Sequence, residues 1–202
     1  YVPQDGQVLY KGVQRPQMRP YQVAQQGIAR TFQNIALFEG MSVLDNVMTG
    51  RLTHMKTGMF SQALWKGRAE KEETANREVA EKIIDFLEIQ AIRKTPVARL
   101  PYGLKKRVEL ARALAAEPSL LLLDEPFAAL GPALKAEMLD LVADLAKETD
   151  TTVLMVSHDP NDARRIASQT VLVAEGVAHQ PQATAELLDN APAVLRDYLG
   201  GA

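Results

Sequence analysis

No cysteine occurs in the 202 residues, which excludes disulfides and thiolate metal sites and fits a reducing compartment without establishing one. No apolar run approaches the ~18 to 20 residues that a bilayer-spanning helix needs, and no basic-then-apolar signal segment opens the chain. Any membrane association is therefore expected to be peripheral. The formal net charge of −2 provides no broad basic surface, so nucleic acid is not an expected partner. Internal repeats and low-complexity tracts are also missing. What the chain does have is apolar residues, 47% of the total, enough to build a sizeable core. It starts on Tyr1 and runs straight into strand-like sequence, which reads as a cut end.

Between glycines at 6 and 12, GQVLYKG alternates apolar and polar residues, as a short strand in a hairpin does. Residues 19–27 predict a helix begun near Pro20 and stopped at Gly27, and 28–32 (IARTF) predict a strand. From 40 to 99 the composition shifts to helix formers and charges, with Val79, Ile83, Phe86 and Leu87 as one apolar stripe, so this stretch reads as a helical insertion. Residues 103–116 predict an amphipathic helix with Leu104, Val108, Ala111 and Leu114 or Ala115 on one face. Strands then alternate with helices: strands at 120–123, 152–157 and 170–174, a helix carrying Leu134, Met138, Leu141, Val142 and Leu145, and another at 161–167. Helices over 183–188 and 191–199 close the chain. Apolar strands separated by amphipathic helices predict an α/β fold with a covered parallel sheet, where ligands bind beyond the carboxyl ends of the strands.

At 120–126 the chain reads LLLLDEP. An apolar strand ending on Asp124 and Glu125 fits phosphoryl transfer to water, because one carboxylate can hold Mg²⁺ and the next can orient or deprotonate the attacking water. A buried strand leaving through a polar helix start beside Pro126 accounts for the same letters. The next strand, TVLMVSHD, brings His158 to the same sheet edge, where an imidazole can reach a terminal phosphate; a solvated loop histidine is the alternative. Upstream, IARTF delivers Gln33, an amide suited to touching Mg²⁺ or water. In LPYGLKKRVELARALAAEP, Gly103 opens a long helix whose free N–H groups and positive dipole end suit an anion, although an ordinary capped helix reads the same way.

The ordered set RTFQN, LPYGLKKRVELARALA, LLLLDEPFAALGP and VLMVSHD resembles the nucleotide-binding subunits of ATP-binding cassette transporters, over about residues 6 to 200. That resemblance implies a P-loop NTPase-like parallel sheet flanked by helices with a helical subdomain inserted, ATP and Mg²⁺ as ligands, and ATP hydrolysis coupled to uptake. It implies a division into a core remnant with the Q-loop at 1–39, a helical subdomain at 40–99, a RecA-like core at 100–180 and C-terminal helices at 181–202. By the same resemblance Gln33 is the Q-loop glutamine that touches Mg²⁺ and water, Asp124 the magnesium residue, Glu125 the catalytic base and His158 the switch histidine. Leu100, Pro101, Tyr102, Gly103 and Leu104 form the signature segment, which binds ATP held by the opposite subunit. The implied partners are transmembrane permease subunits and a second ATPase subunit, identical or not, on the cytoplasmic side of a bacterial-type membrane. Within the family, GIARTFQN, LFEGMSVLDNVMTGR and LPYGLKKRVELARAL look like branched-chain amino acid importers, so an amino acid is the expected solute. From Phe127 onward, MVSHDPNDARRIA, VLVAEG and ELLDN look more like the thiamine-importer type.

Departures from the family pattern qualify this reading. No G-x-x-x-x-G-K-[ST] loop is present to cradle the β and γ phosphates, and only 32 residues precede Gln33. The chain is expected to begin after that loop, and alone to bind ATP weakly or not at all. Pro101, Tyr102 and Leu104 replace the serine, glycine and glutamine of the common LSGGQ signature, a form that the amino acid importers share. Gly131 stands where an aspartate is usual, in AALGP. Two other readings compete: a non-catalytic cassette serving as an interaction module, and a cassette used in DNA repair or translation. The latter relatives usually carry long coiled-coil insertions or paired cassettes, and neither is present here.

Overall fold

The computed structural model describes residues 5–15, 18–31, 35–55 and 68–198. They divide into two units, one running to Thr31 and resuming over Ile35–Leu122, the other starting at Leu123.

The first unit opens on a hairpin of β1 (Leu9–Tyr10) and β2 (Val13–Gln14), with Tyr10 opposite Val13. Lys11 and Gly12 have φ of 50° and 72°, the paired left-handed residues of a two-residue turn whose twist suits the strands. Helix α1 (Pro20–Gln25) begins on a proline, where the missing N–H has no helical partner to lose. Gly27, at φ 77°, stops it and turns the chain into β3 (Ile28–Arg30). The strand is shorter than the 28–32 expected: it ends at Arg30, and Phe32 and Gln33 lie outside the described residues. Strand β4 (Leu120–Asp124) pairs with β3 in parallel, Ile28 opposite Leu120 and Arg30 opposite Leu122. This β4 passes from the first unit into the second and is the middle strand of the order β3-β4-β5.

The helical part of this unit packs α2 (Val43–Thr49), α3 (Arg68–Phe86) and α4 (Tyr102–Ala115) against one another. Ser42 caps α2 by accepting the Asp45 N–H at 3.1 Å. On α3 the fully buried face is Ala80, Ile84 and the following Leu87, with Asn76 one turn earlier; Val79, Ile83 and Phe86, expected at its centre, are only half-buried at its margin. The small and polar residues at the centre have a use, since Asn76 Oδ1 accepts from Arg51 Nε at 2.9 Å. Arg51 also donates to the Ala115 carbonyl and to Glu117, each at 2.7 Å, so a buried guanidinium closes the C-terminus of α4, where cations are favoured. Gly50 makes that reach possible. A Cβ there would collide with the Arg112 carbonyl oxygen and lie 2.9 Å from the Ala115 Cβ.

The second unit contains α5 (Pro132–Glu148), β5 (Thr152–Val156), α6 (Pro160–Ile166), α7 (Thr184–Asp189) and α8 (Ala193–Tyr198). Its core is Leu123, Phe127, Met138, Leu139, Val142, Leu145, Leu187 and Leu195. No strand over 170–174 joins the β3-β4-β5 sheet. Instead β6 (Gln169–Thr170) pairs antiparallel with β9 (Gln182–Ala183), and β7 (Val173–Ala174) pairs antiparallel with β8 (Val177–Ala178). Glu175 and Gly176, at φ 51° and 78°, make a two-residue hairpin turn that satisfies the backbone locally. Val173 is consequently left 70% exposed. Among the described residues no helix is long and apolar enough to cross a membrane.

Candidate active site

Along β4 the four leucines alternate: Leu121 and Leu123 are buried, while Leu120, Leu122 and Asp124 lie half-buried on the other face. The strand stops at Glu125, whose φ of 44° is left-handed, a conformation costing a non-glycine residue roughly 1 kcal/mol. Its backbone N–H nevertheless donates to the Val156 carbonyl at 3.0 Å, and Pro126 and Phe127 behind it are buried. The sheet edge and the core thus hold the kink, and the kink sets the direction of the carboxylate. Strain kept at a charged residue on a strand end is the pattern that functional sites show.

The Glu125 carboxylate meets His158, with Oε2 2.7 Å from Nδ1. The glutamate side chain is 21% exposed and the imidazole 64% exposed. An ionised carboxylate can only accept, so in this pairing Nδ1 carries the proton. Nε2 then offers a hydrogen bond to a phosphate oxygen only when the ring holds both protons.

A charged cluster fixes the backbone on either side of His158. Ser157 Oγ donates to Asp162 Oδ2 at 2.6 Å, and Asp159 Oδ1 caps α6 by accepting the Asn161 N–H at 3.0 Å. Lys135 Nζ lies 2.7 Å from both Asp159 Oδ2 and Asp162 Oδ1. Burial pulls the Lys135 ammonium down, but its bonds to Asp159 and Asp162 outweigh this and hold it above the ordinary lysine value. The Lys135 hydrogen bond, followed by that from the Asn161 N–H, holds the Asp159 carboxyl below the usual range. From the far end of the unit, Tyr198 Oη donates to the His158 carbonyl at 2.8 Å.

The signature residues belong to the first unit. Leu100 is buried, Pro101 and Tyr102 are exposed, and Gly103 and Leu104 are half-buried. Pro101 occupies the N-cap of α4 without a side-chain hydrogen bond, so no side chain of the cap residue takes up the helix's first N–H groups. The structure therefore brings Glu125 and His158 together, puts Asp124 next to Glu125 on the strand end, and leaves Gln33 outside the described residues. For a divalent cation, Asp124 offers one half-buried oxygen ligand. Among the described residues no three acidic or histidine side chains could hold a metal unaided, so the donor set fits a cation carried largely by nucleotide phosphates, as Mg²⁺ commonly is.

Sequence reading missed Lys135, Asp162 and Tyr198. The Asp-Pro pair at 159–160 did carry a helix-start signal, whereas nothing in the order of residues marks a lysine 24 positions upstream as its partner.

Comparison with known proteins gives three kinds of match. The ABC transporter family matches residues 1–128. The thiamine import ATP-binding protein ThiQ of Ruegeria sp. (strain TM1040) is 42% identical over 195 residues, covering 96% of this chain and 77% of that protein. The high-affinity branched-chain amino acid transport ATP-binding protein LivG of Escherichia coli (strain K12) is 30% identical over 202 residues, covering 100% of this chain and 79% of that protein. Among solved structures, the ADP conformation of MJ1267, an ATP-binding cassette of an ABC transporter, has a TM-score of 0.77 at 25% identity, covering 98% of this chain and 78% of that one.

Proposed function

The chain belongs to the ABC transporter family, whose ATP-binding subunits are transport-coupled ATPases, and on that footing we propose that it powers uptake of a small solute at the cytoplasmic face of a bacterial membrane. The Glu125–His158 contact at the carboxyl end of the sheet carries this reading. Glu125 acts as general base, with Oε1 taking a proton from the water that attacks the terminal phosphorus while Oε2 stays with His158. His158 would hold the terminal phosphate, and Gln33, by the family resemblance, would touch the metal and the water. Asp124 would supply the protein oxygen for Mg²⁺, which when bound would neutralise phosphate charge. Leu100, Pro101, Tyr102, Gly103 and Leu104 present the uncapped start of α4 to ATP held by a second ATPase subunit.

Residues 40–99 serve as the helical subdomain. Phe38, 55% exposed, with Ile35, Ala36 and Leu37 beside it, offers an apolar surface to a transmembrane permease subunit. Thiamine is the solute favoured by the higher identity to ThiQ, and a branched-chain amino acid is the second reading, favoured by the LPYG form of the signature.

Glu125→Gln in the assembled importer tests the chemistry. Turnover is expected to fall by a factor on the order of 10² or more, with nucleotide affinity held. Unchanged turnover removes Glu125 from the base role. In the same assembly, stimulation of the unmodified ATPase by thiamine and not by leucine supports the first solute, and the reverse supports the second.

A further inference from the structure

We propose that Tyr198 is a positioning residue for His158, so that the last described helix sets the geometry of the imidazole for hydrolysis. This rests on the reading of His158 as the contact to the terminal phosphate. The residues are 40 positions apart, yet Tyr198 Oη donates to the His158 carbonyl at 2.8 Å. The side chains on either side of it are already engaged: Ser157 by Asp162, and Asp159 by Lys135 and the Asn161 N–H. The His158 carbonyl belongs to the peptide that joins His158 to the anchored Asp159, and holding it restrains the ψ of His158 and hence the origin of its side chain.

Helix α8 is suited to the task. Leu195 is buried in the core of the second unit, and Tyr198 lies three residues further on the same helix, on the neighbouring face that i, i+3 spacing gives. The leucine anchors the helix while the phenol reaches out, 61% exposed, to the loop. A ring held to the catalytic carboxylate by one nitrogen and to the substrate by the other tolerates little displacement, since misplacement by about 1 Å can cost on the order of 10² in rate.

Tyr198→Phe keeps the ring and the Leu195 anchor and deletes only the donor. His-Asp occurs once in this sequence, so protein carrying ¹³C-carbonyl histidine and ¹⁵N-aspartate gives one His158–Asp159 amide signal. In Tyr198→Phe that carbonyl resonance is expected to move upfield. In the assembled importer kcat is expected to fall about fivefold, the worth of one hydrogen bond, with KM for ATP within about twofold. In a His158→Ala background Tyr198→Phe should cost nothing further. An unmoved carbonyl signal, an unchanged kcat, or a loss of the same factor in the His158→Ala background each overturns the proposal. Wild-type turnover in His158→Ala alone defeats the reading of His158 and the proposal with it, and the carbonyl signal distinguishes that result from a missing Tyr198 bond.

Discussion

Replacing Lys135 by methionine keeps most of the side-chain stem and removes the ammonium from between Asp159 and Asp162. Asp162 is buried, with its side chain only 8% exposed, and without Lys135 it retains the Ser157 hydroxyl but loses its 2.7 Å cationic partner. Each hydrogen bond to a charged group is worth roughly 1.5 to 3 kcal/mol, and the two lost here share one donor group whose own desolvation is recovered, so the net cost is about 2 to 4 kcal/mol. For a chain of this length a kilocalorie corresponds to about 2 to 4 °C, so Tm should fall by roughly 4 to 16 °C. Urea unfolding followed by circular dichroism at several pH values reads the cost directly. Because the Asp159 carboxyl lies below its unfolded value near ~4, its contribution is present above that pH and is lost as pH falls through the lowered folded value. Lys135 is raised, so its contribution is present below its unfolded value of ~10.4 and is lost as pH climbs through the raised folded one. The gap between wild type and Lys135→Met should therefore be flat from about pH 5 to 9 and narrow below about pH 4. A cost under about 0.5 kcal/mol at pH 7, or one unchanged at pH 3.5, would refute the assignment of Lys135 as the clamp of this loop.

Two further substitutions test the first unit. Gly50→Ala in a right-handed helical conformation would ordinarily gain about 0.5 to 1 kcal/mol, but here the new methyl meets the Arg112 carbonyl and Ala115, so calorimetry should show a loss of about 2 to 3 kcal/mol, and a gain would contradict the packing of α2 on α4. Asn46→Ala removes a fully buried amide that accepts from the Phe38 N–H at 2.8 Å and donates to the Phe38 carbonyl at 3.0 Å; exchange of the Phe38 amide hydrogen should accelerate on the order of 10²-fold, and unaltered exchange would count against it.

What could be read from the sequence was whatever depends on local periodicity and punctuation. The run of leucines before Asp124 is a strand because alternate residues must bury, and Pro20 with Gly27 frames α1 through backbone constraints that act within a few residues. The helix at the signature starts at Tyr102, one residue earlier than expected. Where the reading failed, tertiary pairing decided. Apolar letters over 170–174 look like a sheet strand, yet the Glu175-Gly176 turn folds them into local hairpins. On α3 the periodicity was right and the phase slightly off, because Asn76 and Ala80, poor markers of a core, face its centre to let Arg51 reach Ala115. The left-handed backbone of Glu125 has no sequence signature, since glutamate is a residue that rarely adopts it.

Energetics also separate the motion that His158 can make from the one it cannot. Its contact with Glu125 joins a half-buried carboxylate to a largely exposed ring, and pairs of that kind contribute at most about 1 kcal/mol. Moving the loop itself would break the Lys135 bridges, worth about 2 to 4 kcal/mol, and the Tyr198 bond, worth about 1 more. The cheaper change is therefore rotation of the imidazole about its own side-chain bonds over a backbone that stays put. An exposed ring makes such rotations in picoseconds to nanoseconds, so the imidazole can turn while the loop that carries it holds its place.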